Sequence, residues 1–252
     1  MEEIFYFNCL MILILIPAII IFFSLFKVTA GYGQHFMKTS GKTINDKTGW
    51  VLMESPAIIL YIILYIIGKY HFYPVIILFS TLFLMHYSYR TFIFPKLMRG
   101  NNPMPLSIVI SGMIFNSINV FLQGRWINTL SGGYETSWLL NPAFIIGIIL
   151  FFHGFIIHLV SDRIIRKLRK PGETCFKIPY GGMFEYVSCP SYLGEITEWF
   201  GWAIMTWSLP GLIFAIWTFA NLTPRARSNH IWYLKTFSDY PKKRKALIPY
   251  IF

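Results

Sequence analysis

Acidic residues are scarce in this sequence: 11 Asp and Glu stand against 22 Lys and Arg among 252 residues, and only 13% of the chain is charged. A soluble domain usually carries about 25% charged residues, so the polar surface of a water-exposed globule is missing. Cysteine is rare too. Cys9, Cys175 and Cys189 are odd in number and lack metal-binding spacing, so neither a disulfide framework nor a metal site is indicated. There is no G-x-G-x-x-G, Walker A, H-E-x-x-H, G-x-S-x-G or C-x-x-C motif, and "AGYGQH" at 30–35 is too short for a nucleotide fingerprint. No fixed-period repeat or low-complexity stretch occurs. One integral domain over 1–252 is the simplest organisation.

What the chain has is apolar length: 55% of its residues are hydrophobic and 19% aromatic. Long apolar runs fall at 4–26, 51–68, 73–94, 105–123 and 139–160, with a longer one at 192–224 broken by Pro210. A hydrocarbon core needs about 20 helical residues, so the last run fits two short spans meeting at "SLPG", for about seven in all. The run at 4–26 follows Met1-Glu2-Glu3 rather than basic residues and no small-residue cleavage site follows it, which predicts a retained first helix. The expected fold class is all-α, a polytopic integral membrane protein.

Charge placement tests that count independently. With seven spans, all Lys and Arg except Lys69 and Arg125 fall on one side. Cytoplasmic loops collect such residues, which predicts an N-out, C-in arrangement. The formal net charge of +11 is then orientation and lipid-surface charge, with no nucleic-acid partner implied. The ending after Pro224, aromatic and basic together, is expected to pack back on the bundle.

Each ionisable group at membrane depth is a site candidate whose partner has to be found. These are Glu54, His86, Arg90, His153, His158, Asp162, Glu195 and Glu198. His158, Asp162, Arg166 and Arg169 recur at helical spacing as one stripe, while Arg90, Lys96, Arg99, Arg225, Arg227 and Lys235 end other helices on the same predicted side. Such a mouth suits a large anionic cofactor, and its basic part also fits arginines snorkelling at helix ends. Glu195 and Glu198 share a helix face with Trp199 and Trp202, either as structural acids or as site residues. The Tyr87 phenol is protonated at neutral pH, and a desolvated, protonated Glu54 donates as well. Two such donors on one carbonyl oxygen stabilise a developing enolate; the same pair also serves ordinary interhelical hydrogen bonding.

The block "LRKPGETCFKIPYGGMFEYVSCPSYLGEITEWFGWAIMTWSLPG" and the ending "WYLKTFSDYPKKRKALIPYIF" strongly resemble the steroid 5-alpha-reductase family (3-oxo-5-alpha-steroid 4-dehydrogenases). "HYSYRTFIFP" at 86–95, "LQGRW" at 122–126, "AGYG" and the Glu54-Ser55 pair fall where that family has comparable motifs. The resemblance implies a seven-helix membrane enzyme, acting on a steroid or similar lipid-soluble enone and working as a monomer among the lipids of a bacterial inner membrane or endoplasmic reticulum, with NADPH as cofactor on the cytoplasmic face. It implies a substrate side on helices 1 to 4 and a cofactor side on helices 5 to 7 with the cytoplasmic loops. Glu54 and Tyr87 would hold a steroid 3-keto oxygen while hydride reaches C5 and a proton reaches C4. Tyr32, Arg90, His158, Asp162, Arg169, Ser191, Glu195, Arg225, Asn229 and Tyr233 would line the cofactor. The departures are Met53, where the family often has Gln, His158 and Ser191, where Asn is common, and Asn229, where His is common. They fall on the nicotinamide contacts and steroid preference. Relatives that reduce polyprenols or enoyl lipids, isoprenylcysteine or phospholipid methyltransferases, and a non-catalytic transporter or sterol sensor are the competing readings.

Overall fold

The apolar runs fold as long helices. In the computed structural model, every residue is described except Met1, Ala30, Tyr32, 37–40, Gly100, Pro171, Gly172 and Thr174. Among the described residues there are seven long helices: α1 (Glu2–Lys27), α2 (Asp46–Ile66), α3 (Pro74–Leu97), α4 (Leu106–Leu130), α5 (Pro142–Leu168), α6 (Pro190–Thr206) and α7 (Leu209–Thr236). The first five are long and apolar enough to cross a membrane. Helix α6 has 17 residues, about 26 Å at about 1.5 Å per residue, short of a core about 30 Å thick. Helix α7 carries its apolar half before Pro224 and a basic half after it.

The break between α6 and α7 falls at the predicted "SLPG". Trp207 takes a left-handed conformation at φ 44°, which ends α6. Ser208 then caps α7 by accepting from the Gly211 N–H at 3.1 Å, with Pro210 in the first turn, where a missing N–H costs nothing.

By internal packing the chain forms two compact units. The first comprises Met1–Met11 and Gly31–Phe144. A short antiparallel ribbon, β1 (Thr43–Asn45) paired with β2 (Pro103–Pro105), launches two of its helices, since β1 runs into α2 and β2 into α4. Asp46 holds the ribbon's base, its Oδ2 accepting from Asn102 N at 3.1 Å and Asn102 Nδ2 at 3.2 Å. Gly49 packs on Met104 and Val109, Gly112 on Met53, Gly124 on Leu64, and Gly68 on Asn128. These contacts advance together along both helices, so α2 and α4 run parallel. Tyr61 stacks on Phe83 at 4.4 Å inside this unit, and its hydroxyl meets Ser80 Oγ at 3.2 Å.

The second unit comprises Ile12–Ala30 and Ile145–Phe252. Trp199, Trp202, Phe151 and Phe214 form its centre, with Trp199 and Phe214 at 4.3 Å. The C-terminal segment packs back as the sequence predicts. Ala246 and Leu247 are buried with Ile196 and Leu222, and Ser188 N and Cys189 N donate to Lys245 O and Ala246 O at 2.8 and 3.1 Å.

Candidate active site

In the first unit, α2 presents Glu54 just before a helix-interior proline. Pro56 cannot donate to the Leu52 carbonyl four residues back, and Ser55 Oγ donates to it instead at 3.1 Å. Glu54 is 6% exposed. Its Oε2 accepts from Asn116 Nδ2 at 3.0 Å and its Oε1 from Arg90 Nη2 at 3.3 Å. The Arg90 guanidinium lies over the rings of Trp50 at 4.3 Å and Phe94 at 5.2 Å, so aromatic faces share its charge with the carboxyl.

Helix α3 supplies Tyr87 just before a register change and Arg90 within it. From Tyr89 to Ile93 it widens into a π turn, with Phe94 N donating five residues back to Tyr89 O. Pro95 follows and removes the next donor. Such wide turns recur where a helix re-aims side chains for function. Tyr87 is buried, its ring 4.7 Å from Phe83, and its hydroxyl accepts from Asn119 Nδ2 at 3.4 Å. Glu54, Tyr87 and Arg90 thus belong to one polar interior, with Arg90 paired to Glu54.

In the second unit, close backbone contact builds the other cluster. A Cβ added at Gly154 of α5 would fall on the Glu198 backbone of α6, and one added at Gly194 would fall on Gly154 O and His158 N. Only glycine allows the two helices so near. That approach sets His158, 1% exposed, between two acids: its Nε2 is 3.2 Å from Asp162 Oδ2 and its Nδ1 is 3.8 Å from Glu195 Oε2. Ser191 Oγ donates to Asp162 Oδ1 at 3.1 Å. Glu198 is 0% exposed, whereas Glu195 is partly exposed.

Asn229 of α7 donates to the Tyr192 hydroxyl at 3.4 Å, and its amide approaches Cys189 Sγ at 3.7 Å. Burial pushes the Cys189 thiol up to about 12, which leaves it a poor nucleophile. Tyr233 stacks on Tyr240 at 5.0 Å and on Phe237 at 5.9 Å. The Arg169 guanidinium lies over Phe176 at 4.5 Å, while the neighbouring Lys177 is neutralised by Glu173 at 2.8 Å. Arg225 lies partly buried on α7. Tyr32 lies outside the described residues.

The side chains present are of kinds that could hold a phosphorylated dinucleotide: Arg169 and Arg225 carry planar guanidinium groups of the sort that pair with phosphate, and Ser191, Glu195 and Asn229 carry polar groups of the sort that pair with a carboxamide.

Several groups around these residues escape a sequence reading limited to ionisable side chains. Asn116, Asn119 and Gln123 form a buried amide row on α4. Spacing inside an apolar run is a signal that could have found it. Ser188, Tyr240, His230 and Arg244 are brought together by the returning C-terminal segment. Ser188 Oγ lies 2.6 Å from His230 Nδ1 and 2.7 Å from the Tyr240 hydroxyl, and Arg244 Nη1 donates to Pro179 O at 2.8 Å. No local pattern marks that set.

Comparison with known proteins agrees with the resemblance drawn from the motifs. Residues 102–252 match the model of the family described as 3-oxo-5-alpha-steroid 4-dehydrogenase. The chain is 41% identical over 251 residues to the steroid 5-alpha-reductase DET2 of Solanum lycopersicum, covering 98% of this chain and 97% of that protein. It is 40% identical over 237 residues to the 3-oxo-5-alpha-steroid 4-dehydrogenase 1 of Mus musculus, covering 93% and 92%. With the human protein of that name it shares 41% identity over 224 residues, covering 88% and 86%.

Proposed function

The chain belongs to the 3-oxo-5-alpha-steroid 4-dehydrogenase family, and from that membership we propose that it reduces the C4–C5 double bond of a 3-oxo-4-ene steroid with NADPH, giving the 5-alpha-3-oxosteroid. It is an oxidoreductase of the steroid 5-alpha-reductase kind. The observation that carries the proposal is the identity of about two residues in five along nearly the whole chain to proteins named for this reaction.

NADPH, when bound, supplies a hydride for C5 and leaves as NADP. The protein's own residues do the rest. Tyr87 donates a hydrogen bond to the 3-keto oxygen, and Glu54, whose carboxyl is held by Asn116 and Arg90, holds that oxygen with it. With hydride added at C5, negative charge would move through C4 and C3 onto that oxygen, where hydrogen bonding in a buried site stabilises it most. A proton then adds at C4, which balances the reduction.

The remaining site residues hold the cofactor in this reading. Arg169 and Arg225 take phosphate, Tyr233 helps enclose the cofactor, and Ser191, Glu195 and Asn229 meet the nicotinamide amide. Asp162 and His158 fix one another and Ser191. Tyr32 and Arg90 complete the set, Arg90 also holding Glu54. Substrate chemistry is assigned mainly to α1 through α4 and cofactor binding mainly to α5 through α7 and the cytoplasmic loops, within one monomeric enzyme. Seven spans, with the N-terminus outside and the cofactor side facing the cytoplasm, belong to the same proposal and are supported by the one-sided distribution of Lys and Arg.

The test is product identification. Protein purified in detergent and incubated with NADPH and testosterone or progesterone is expected to yield the 5-alpha-dihydro steroid. Absence of any reduced steroid, together with saturable binding of S-adenosylmethionine rather than NADPH, would reassign the chain to methyl transfer.

A further inference from the structure

The polar interior of the first unit is concentrated on one helix face. Asn116, Asn119 and Gln123 of α4 are 7%, 3% and 1% exposed, and intervals of three and four residues put them on the same side. An amide inside an apolar helix is costly unless its donors and acceptors are met. Here they are met by the groups assigned to the substrate ketone. Asn116 Nδ2 donates to Met53 O at 2.8 Å and to Glu54 Oε2 at 3.0 Å. Asn119 Nδ2 donates to the Tyr87 hydroxyl at 3.4 Å, and Gln123 Nε2 donates to Asn119 Oδ1 at 3.3 Å.

We propose that this face of α4 positions the carbonyl-binding pair: Asn116 sets Glu54, Asn119 sets Tyr87, and Gln123 sets Asn119. The proposal rests on the reading that Glu54 and Tyr87 hold the ketone.

Bond direction carries the argument. Gln123 donates to the Asn119 oxygen, and the Asn119 amide nitrogen faces the phenol. That contact then uses a lone pair of the Tyr87 oxygen and not its hydrogen. A hydroxyl that accepts a hydrogen bond becomes a stronger donor through its own O–H. An acceptor at position 119 would instead compete with substrate for the phenolic hydrogen. Asn116 acts alike on Glu54, because its single amide bridges the carboxyl and the Met53 backbone, tying the side chain to the α2 axis. Asn116 and Asn119 lie within one turn of each other, so a rigid rod spaces two groups that arise from different helices.

A double-mutant cycle tests the assignment. Asn119→Leu is a near-isostere without hydrogen-bonding groups and is compared with Tyr87→Phe and with the double variant, using testosterone and NADPH on protein that elutes as a single folded species. Asn119→Leu is expected to lower kcat about tenfold, the size of one buried hydrogen bond, with KM for NADPH little changed. In the Tyr87→Phe background the same substitution is expected to change kcat less than about twofold. Gln123→Leu should show a smaller loss that likewise vanishes without the phenol, and Asn119→Ser replaces Asn119→Leu if the latter does not fold. Equal losses in both backgrounds would make the amide row merely structural and overturn the proposal while leaving Tyr87 in its role. Unchanged turnover in Tyr87→Phe alone would remove the reading of Tyr87, and the proposal with it.

Discussion

Glu54 and Tyr87 carry the sharpest consequences at the residue scale. Tyr87→Phe or Glu54→Gln is expected to lower turnover of testosterone or progesterone at least about tenfold, the scale of a lost oxyanion donor, while the detergent-solubilised protein still elutes as a single folded species. Full activity in both would remove the pair from the mechanism. The two acids of α6 separate by environment. Glu195 is partly exposed beside His158, and Glu198 is enclosed by the core. Glu195→Gln is therefore expected to weaken NADPH binding about tenfold by fluorescence titration, with Glu198→Gln leaving affinity unchanged and lowering thermal stability instead. The identity of the buried acids was legible in the sequence, since a carboxyl in an apolar run stands out. Their partners were legible only where they share a helix, as His158 and Asp162 do at four residues apart. Arg90 beside Glu54 and Glu195 beside His158 are products of three-dimensional packing, and the neutral amides of α4 carry no charge to draw notice.

Elements obey the apolar pattern closely, and where they depart the cause is local. The "SLPG" break between α6 and α7 was readable because proline and a capping serine stand together. The π turn at Tyr89–Ile93 was not, because a one-residue change of register leaves hydrophobic content untouched. The ribbon of β1 and β2 likewise has only three residues per strand and no alternation to betray it. Helix α5 against α6 yields a direct test of close approach. Gly154→Leu forces a side chain into the Glu198 backbone, so the helices must separate and the His158–Glu195 contact must open. Overpacking of this sort costs about 1–3 kcal/mol or more. Thermal scanning should show a clear fall in melting temperature, and NADPH affinity should fall with it, whereas Gly132→Ala, strained by a φ of 82° but meeting no neighbouring atom, should lower the melting temperature and leave affinity untouched.

At the scale of the molecule, seven long helices follow the runs of the sequence, and five of them are long and apolar enough to span a bilayer without help. The proposed orientation has a direct readout in thiol chemistry. Cys175 is exposed in the loop after α5, Cys9 lies on the apolar α1, and Cys189 is buried with its thiol pushed up to about 12. In a Cys9→Ser, Cys189→Ser background, a membrane-impermeant maleimide is expected to label Cys175 in inside-out vesicles and not in right-side-out ones. The reverse pattern would invert the orientation.

The amide row of α4 has a cost at biogenesis. A segment entering a bilayer during synthesis is judged by its own side chains, and Asn116, Asn119, Gln123 and Asn128 all argue against release into lipid. The partners of Asn116 and Asn119 lie on α2 and α3 and are made earlier, so α4 is best accommodated once those helices already stand in the membrane to receive it. Leucine at the same positions should therefore insert more readily and accumulate to higher levels while turning over less substrate.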